Sequence, residues 1–314
     1  MSTEELRPEE FAQAAEAAIT DALGRADPHA MAAVLAEAGL CGVMAAEDDG
    51  GLGLDLAFAL PIAHAAGRLR LPLPLADQLL LAHALAGTPA AGALAAGERL
   101  AAIAWQGSLQ QGSARVDTGP ADWVLVADGE GAALLDATAL PREAQAGLDP
   151  DHPQLWLTLA GAPVLARLDA AAWQALRRRA HLLLAEFANG AAEGALEAAA
   201  SYMATRVQFG RPLSAKQAVR HLLARMRLLQ DVSSASIRRA MRDDEYGAPR
   251  DTRPALSGAL ANAAFVIEKA IHLHGGMGFT WELPLHYALR AVRKLDAAFA
   301  GLARDTGRDF LESV

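Results

Sequence analysis

The stretch His272-Leu273-His274-Gly275-Gly276-Met277-Gly278-Phe279-Thr280-Trp281-Glu282 is where this 314-residue chain stops being generic. An apolar run at helical spacing, 261–273, leads into it and then breaks into glycines. Glycine lets the backbone turn sharply and approach a ligand with no Cβ in the way. Glycine-rich peptide beside a helix end suits a pyrophosphate, whose charge backbone N–H groups can meet. The plainer alternative is a C-cap, since helices commonly end in glycine. His272 and His274 do not read as metal ligands. Two apart on a helix they face different directions, and no Cys or carboxylate cluster joins them. The sequence contains no lysine-bearing phosphate loop and no nucleophile elbow. Cys41, the single cysteine, sits in an apolar segment and reads as a buried inert thiol.

The elements that must position this stretch are mostly helical. Hydrophobic residues make up 53% of the chain and aromatics only 5%, a composition that points to a helical globular protein. The length allows two or three subdomains. A net charge of −9 argues against a nucleic-acid or anionic-membrane surface, while leaving room for a local basic pocket. The polar, acidic start fits neither a signal peptide nor a presequence, and no apolar run is long enough to span a bilayer. The expected location is the cytoplasm.

Residues 1–98 read as an N-terminal α domain. Pro8-Glu9-Glu10 and Asp27-Pro28 open helices, Gly39 ends one, and helical stretches at 55–69 and 75–87 flank Pro72-Leu73-Pro74. Ala46-Glu47-Asp48-Asp49-Gly50-Gly51-Leu52-Gly53 reads as a surface connection. From 99 to 168 short apolar runs at 100–105, 123–127, 132–135 and 155–159 alternate with turn residues, which predicts a small β domain of about four or five strands. From 169 to 314 the pattern predicts a four-helix bundle. One long helix covers 173–206, broken at most near Asn189-Gly190, and Ser214 is a candidate N-cap for the next, which runs to about 242. The fold class is therefore mainly α with a small β domain between two helical ones.

Two separated motifs carry a resemblance. Arg206-x-x-Phe209-Gly210-Arg211-Pro212 with Gln217-Ala218-Val219, followed by His274-Gly275-Gly276-Met277-Gly278-Phe279, resembles the acyl-CoA dehydrogenase family. Order and spacing both agree, and Gly50-Gly51-Leu52-Gly53 resembles part of the family's first domain, so the likeness covers nearly the whole chain. It implies an FAD-dependent oxidoreductase that removes two hydrogens from an acyl-CoA thioester. It also implies electron-transfer flavoprotein as acceptor and fatty-acid or sterol side-chain oxidation as the setting. In the family the motif's arginine and glutamine bind FAD across a subunit interface. Here those positions are Arg206 and Gln217, with Phe209 packing nearby, Gly275 and Gly276 giving backbone contacts, and His272 where glutamine is common. A guanidinium suits a pyrophosphate, an amide can donate and accept, and a histidine can donate to an anion. The structural alternatives are a helix-end cation for Arg206 and a core ring for Phe209.

The chain also departs from the family pattern. The resemblance implies that a glutamate takes the α-proton while the β-hydrogen leaves as hydride to the flavin. At the usual base position this chain has Ala300, and at the alternative position on the first long helix of the last domain it has Ala180. Leu302 and Ala303 lack the expected hydroxyl and amide. Glu186, about six residues beyond Ala180 on the same helix, is the remaining carboxylate candidate. Asp296 reads as a helix-face charge beside Arg293, and the Arg177-Arg178-Arg179 run as a charged face or a contact for a CoA phosphate. Trp105-Gln106-Gly107-Ser108 stands where a Thr-Glu-Pro-like segment would face the flavin. Three readings remain. The adopted one is a subunit of a hetero-oligomer whose homologous partner supplies the base. The others are a homo-oligomer with an unusual base and a catalytically silent structural or regulatory relative.

Overall fold

The structure is a computed structural model describing residues 7–116, 121–145 and 154–299. It folds as two compact units, Met1–Ala66 with Leu71–Leu183, and Gly67–Arg70 with Leu184–Val314. Among the described residues no helix is long and apolar enough to cross a membrane.

The first unit begins with α1 (Glu10–Ala22) and α2 (Pro28–Glu37). Asp27 caps α2 by accepting from the Ala30 N–H at 2.8 Å, Pro28 occupies the first turn, and Gly39 follows the helix with φ +75°. The glycine-rich connection 46–53 lies at the surface as expected, with none of its residues buried and one close approach within it. A Cβ at Gly51 would lie 2.3 Å from the Ala45 carbonyl oxygen. The segment holding Cys41 is buried, and loss of solvation pushes its thiol up to about 12, which keeps it inert. Helices α3 (Leu56–Leu69), α4 (Leu75–Ala84) and α5 (Pro89–Ala95) complete the helical part.

The β region exceeds the expected strand count. Seven strands form one sheet among the described residues: β1 (Ala101–Ser108), β2 (Ser113–Val116), β3 (Trp123–Asp128), β4 (Gly131–Asp136), β5 (Arg142–Gln145), β6 (Gln154–Thr158) and β7 (Val164–Leu168). Their order is β5-β6-β2-β1-β3-β4-β7, antiparallel except for the parallel β1–β3 pair. The sequence pattern misses β2 and β5, which are four residues long and, in β5, fully exposed, and β7, whose apolar Val164 and Leu165 are exposed rather than alternating into a core. Ala102, Ala104, Val124, Val126, Ala133, Leu135 and Leu157 fill one apolar face. Two buried polar side chains tie α4 to this sheet. Gln78 Oε1 accepts from Ala101 N–H at 3.1 Å while its Nε2 donates to the Leu94 and Arg99 carbonyls. Asp77 accepts from Ile103 N–H at 3.0 Å.

The division between units falls inside α6 (Ala170–Thr205), an unbroken helix of 36 residues. Asn189 does not interrupt it, because its side-chain amide donates to Ser234 Oγ at 2.9 Å rather than competing for the backbone. The second unit continues with a two-stranded hairpin, β8 (Val207–Gln208) and β9 (Arg211–Pro212), then α7 (Gln217–Ala240), α8 (Arg253–Leu273) and α9 (Leu285–Ala298). Ser214 is not the N-cap of α7. It lies in a 3-10 turn, Leu213–Ala215, that redirects the chain after the hairpin closes, and Lys216 takes the cap position. Gly67 and Gly194 let the end of α3 lie against α6, since Cβ atoms there would meet the Phe187 and Arg68 carbonyl oxygens at 1.9 and 2.7 Å.

Asp77 gives the fold a pH signature. Desolvation raises its carboxyl to about 7 against the Ile103 N–H, which lowers it. The folded state therefore holds a proton that the unfolded chain releases near pH 4. The stabilisation is complete below that pH and is lost as pH rises through about 7. Urea unfolding should show a stability loss on the order of 2–4 kcal/mol from this group between pH 4 and 8, and Asp77→Asn should remove it.

Candidate functional site

All the residues singled out for cofactor contact lie in the second unit. Arg206 follows the last residue of α6, its N–H still bonded to the Tyr202 carbonyl at 2.9 Å. Its own carbonyl accepts from Leu213 N–H at 2.9 Å, which closes the hairpin that follows. Val207 pairs with Pro212 and Gln208 with Arg211, leaving Phe209 and Gly210 at the tip. Both have positive φ, +56° and +74°, the signature of a tight primed turn. Glycine takes that conformation freely, but a phenyl-bearing residue there is strained by on the order of 1–3 kcal/mol.

Phe209 does not recover that cost by burial. Its side chain is 88% exposed, so it is not a core ring as its chemistry alone suggests. Lys216 Nζ stands 4.8 Å from its ring centroid. Arg206, Arg211 and Lys216 pair with no carboxylate among the described residues. Gln217 opens α7 with its side chain exposed. The hairpin therefore presents an aromatic ring and unneutralised cations to whatever approaches.

The second motif reaches the first through one ring contact. His274, the last residue before the glycines, is buried with Nδ1 donating to the Ala270 carbonyl at 2.8 Å. Its imidazole stacks on Tyr202 with centroids 4.7 Å apart and planes 19° from parallel. Tyr202 lies one turn before Arg206, so this stack pins the end of α8 beside the end of α6. Neither Tyr202 nor this role of His274 is visible in the spacing of the motifs.

Past His274 the chain turns through Gly275–Phe279 in 3-10 form. Gly275 has φ +60°, which explains that glycine locally. Gly278 is needed for packing, because a Cβ would sit 2.1 Å from the Ile271 carbonyl oxygen. Gly276 has neither explanation: φ is ordinary and an added Cβ would meet nothing within 4 Å. It leaves bare backbone facing outward. His272 is exposed in the last turn of α8, pointing away from buried His274, as their spacing implies. Beyond the glycines Trp281, 63% exposed, lies beneath the Arg290 guanidinium at 4.8 Å, and Arg70 donates to the Pro284 carbonyl at 2.8 Å.

Two of the positions considered for proton abstraction, Ala180 and Glu186, lie further back along α6. Ala180 is fully buried in the part of α6 that belongs to the first unit. Glu186 is half-buried on the same helix, about 30 Å along its axis from Arg206. Ala300, Leu302 and Ala303 lie outside the described residues. Asp296 pairs with Arg293 at 3.5 Å, as a helix-face charge should, and Arg293 also reaches Glu268 at 2.6 Å. In the first unit Arg177 lies over Trp173, which stacks on Trp105 at 6.0 Å.

Comparison with known proteins agrees with both motifs. The family profile described as acyl-CoA dehydrogenase, C-terminal domain, matches residues 170–301. Acyl-CoA dehydrogenase IpdE2 of Mycolicibacterium smegmatis is 32% identical over 276 residues, 86% of this chain and 83% of that protein. The chain belongs to the acyl-CoA dehydrogenase family. It is also 32% identical over 292 residues to acyl-CoA dehydrogenase FadE34 of Mycobacterium tuberculosis, covering 86% of this chain but only 40% of that longer protein. Among solved structures, a variant of the Tcur3481-Tcur3483 steroid ACAD superposes with a TM-score of 0.80 and 25% identity, over 98% of each chain. The observed order of helices, small sheet and helix bundle is that of this oxidoreductase family.

The hairpin strain is measurable. Phe209→Asn places a residue that tolerates positive φ before Gly210 and should raise the unfolding free energy by about 0.5–1 kcal/mol. Urea denaturation tests this, and a lower value would mean the ring is held by contacts that outweigh its strain.

Proposed function

We propose that this chain is one subunit of an FAD-dependent acyl-CoA dehydrogenase whose homologous partner chain supplies the catalytic base. The observation that carries the reading is the pairing of a strained, exposed Phe209 hairpin with the open backbone at Gly276. Among the described residues Phe209 meets only the Lys216 ammonium in a ring contact, and a Cβ at Gly276 would meet nothing within 4 Å. Together with unneutralised Arg206 they suit an anionic dinucleotide, so the residues present fit the pyrophosphate end of FAD.

In this reading Arg206 holds the pyrophosphate through its planar fork, and the Gln217 amide orients the cofactor by donating and accepting. The backbone at Gly275 and Gly276 comes close because no Cβ intervenes, and exposed His272 adds a donor to the anion. Phe209 covers the cofactor from the hairpin tip. FAD, when bound, accepts the two electrons removed from the thioester, and electron-transfer flavoprotein is the proposed onward acceptor. Ala180 offers no carboxylate, and Glu186 is displaced along the helix from that position. The base is therefore assigned to the partner. The steroid ACAD to which this chain is similar is named by two components, which supports an unlike partner and a bulky acyl-CoA such as a sterol side-chain ester.

The test is made on the flavin-loaded complex. Arg206→Ala should lower flavin content at least about fivefold with circular dichroism unchanged, and Arg206→Lys should be intermediate because it keeps charge but not the fork. Glu186→Gln should leave turnover within about twofold. Full flavin retention in Arg206→Ala would remove the cofactor reading. Loss of turnover in Glu186→Gln would place the base in this chain.

A further inference from the structure

The short stretch between the glycines and α9 gathers side chains that the cofactor reading leaves unused. Trp281 is 63% exposed, yet three neighbours hold its ring in place. The Arg290 guanidinium lies 4.8 Å from its centroid, His286 meets it in a T-shaped contact at 4.7 Å, and Tyr287 tilts against it at 6.5 Å. His286 and Tyr287 in turn pack on each other at 4.2 Å. All three neighbours sit in the first two turns of α9, at three- and four-residue steps that bring side chains together. An exposed indole already fixed in this way loses little freedom when a flat ring stacks on it.

A second guanidinium reaches the same place from the end of α3. Arg70 follows that helix with φ +57°, a position that favours glycine, so its backbone is strained. Its Nη1 donates to the Pro284 carbonyl at 2.8 Å, just before α9 begins. Loss of solvation lowers the Arg70 pKa, and nearby Tyr287 opposes that shift. Arg290 lies 5.8 Å from the Tyr287 centroid, so two like charges converge on one phenol ring. Arg70 pairs with no carboxylate among the described residues, and Glu282, next to Trp281, takes part in no ion pair there. A strained and partly desolvated cation with no counter-charge is suited to an incoming anion.

The two features together define the ligand. A phosphate matches the guanidinium fork, and a nucleobase matches the indole. A purine offers the larger stacking face. The net charge of −9 disfavours a polynucleotide. An inorganic anion alone would leave Trp281 uncovered, and an uncharged aromatic would leave Arg70 unmatched.

We propose that Trp281, Arg70 and Arg290 form a subsite for a purine mononucleotide, its base stacked on the indole and its phosphate held by the guanidiniums. Such a group occurs free and as the head of coenzyme A, and the test separates these sources. The inference does not rest on the flavin reading, because Arg206, Gln217 and Gly276 take no part in it.

The test is isothermal titration calorimetry on the full chain, as wild type and as Arg206→Ala. AMP should bind both alike, and at least about tenfold tighter than adenosine or inorganic phosphate. Trp281→Ala should weaken AMP about tenfold, with Trp281→Phe recovering part of the loss because a ring remains. Arg70→Gly should weaken it at least about fivefold with circular dichroism unchanged, since glycine accepts the same backbone conformation. Tighter binding of adenosine 3′,5′-bisphosphate than of AMP would support the subsite and assign it to the coenzyme A head. No gain from the second phosphate would support it as a site for a free nucleotide. No AMP binding, AMP no tighter than phosphate, wild-type affinity in Trp281→Ala, or loss of AMP binding in Arg206→Ala would each overturn the proposal. Flavin does not enter this readout, so failure here leaves the cofactor reading standing.

Discussion

The stack of His274 on Tyr202 is the contact on which the candidate site depends. It joins two segments about seventy residues apart in sequence, each of which is ordinary by itself. Without it, Arg206 is a cation at a helix end and Gly275-Gly276 is a helix terminator. With it, a guanidinium, an exposed aromatic hairpin and bare backbone belong to one end of a helix bundle. The histidine is suited to this work because its ring offers an aromatic face to Tyr202 while Nδ1 satisfies the Ala270 carbonyl within the helix. A buried polar ring with both demands met costs little and fixes geometry.

Much of the fold was legible because its long helices obey simple rules. Asp27-Pro28 and Gly39 bracket α2 as capping chemistry requires, and α6 runs unbroken from a pattern with no proline in it. The sheet was harder. Strands such as Arg142–Gln145 lie at an edge with all side chains exposed, so no apolar alternation announces them. Ser214 is a sound cap residue in isolation, but the preceding hairpin consumes the chain there and α7 starts later. Phe209 was the least legible. Nothing in its residue type signals a left-handed backbone and near-complete exposure, both of which follow from closure of the hairpin by the Leu213–Arg206 hydrogen bond.

The proposed chemistry rests on a set of residues and on a gap that the family resemblance implies. Arg206, Gln217 and the glycines are the proposed cofactor residues, and the two positions that the resemblance implies for the base, 180 and 300, hold alanines. The hairpin tip is exposed and its Phe209 backbone strained. In the proposed reading, a companion chain covers the strained, exposed hairpin. The alanine at position 180 has the same sense in that reading, because the base would come from the partner.

The central claim is that an unlike subunit completes this site. Its most direct test is the flavin absorption spectrum, recorded with native mass, of the chain purified alone and co-expressed with a homologous acyl-CoA dehydrogenase chain. The account predicts a colourless chain alone and a flavin-bearing hetero-oligomer that oxidises acyl-CoA. Flavin bound by the chain alone in an active homo-oligomer would contradict it.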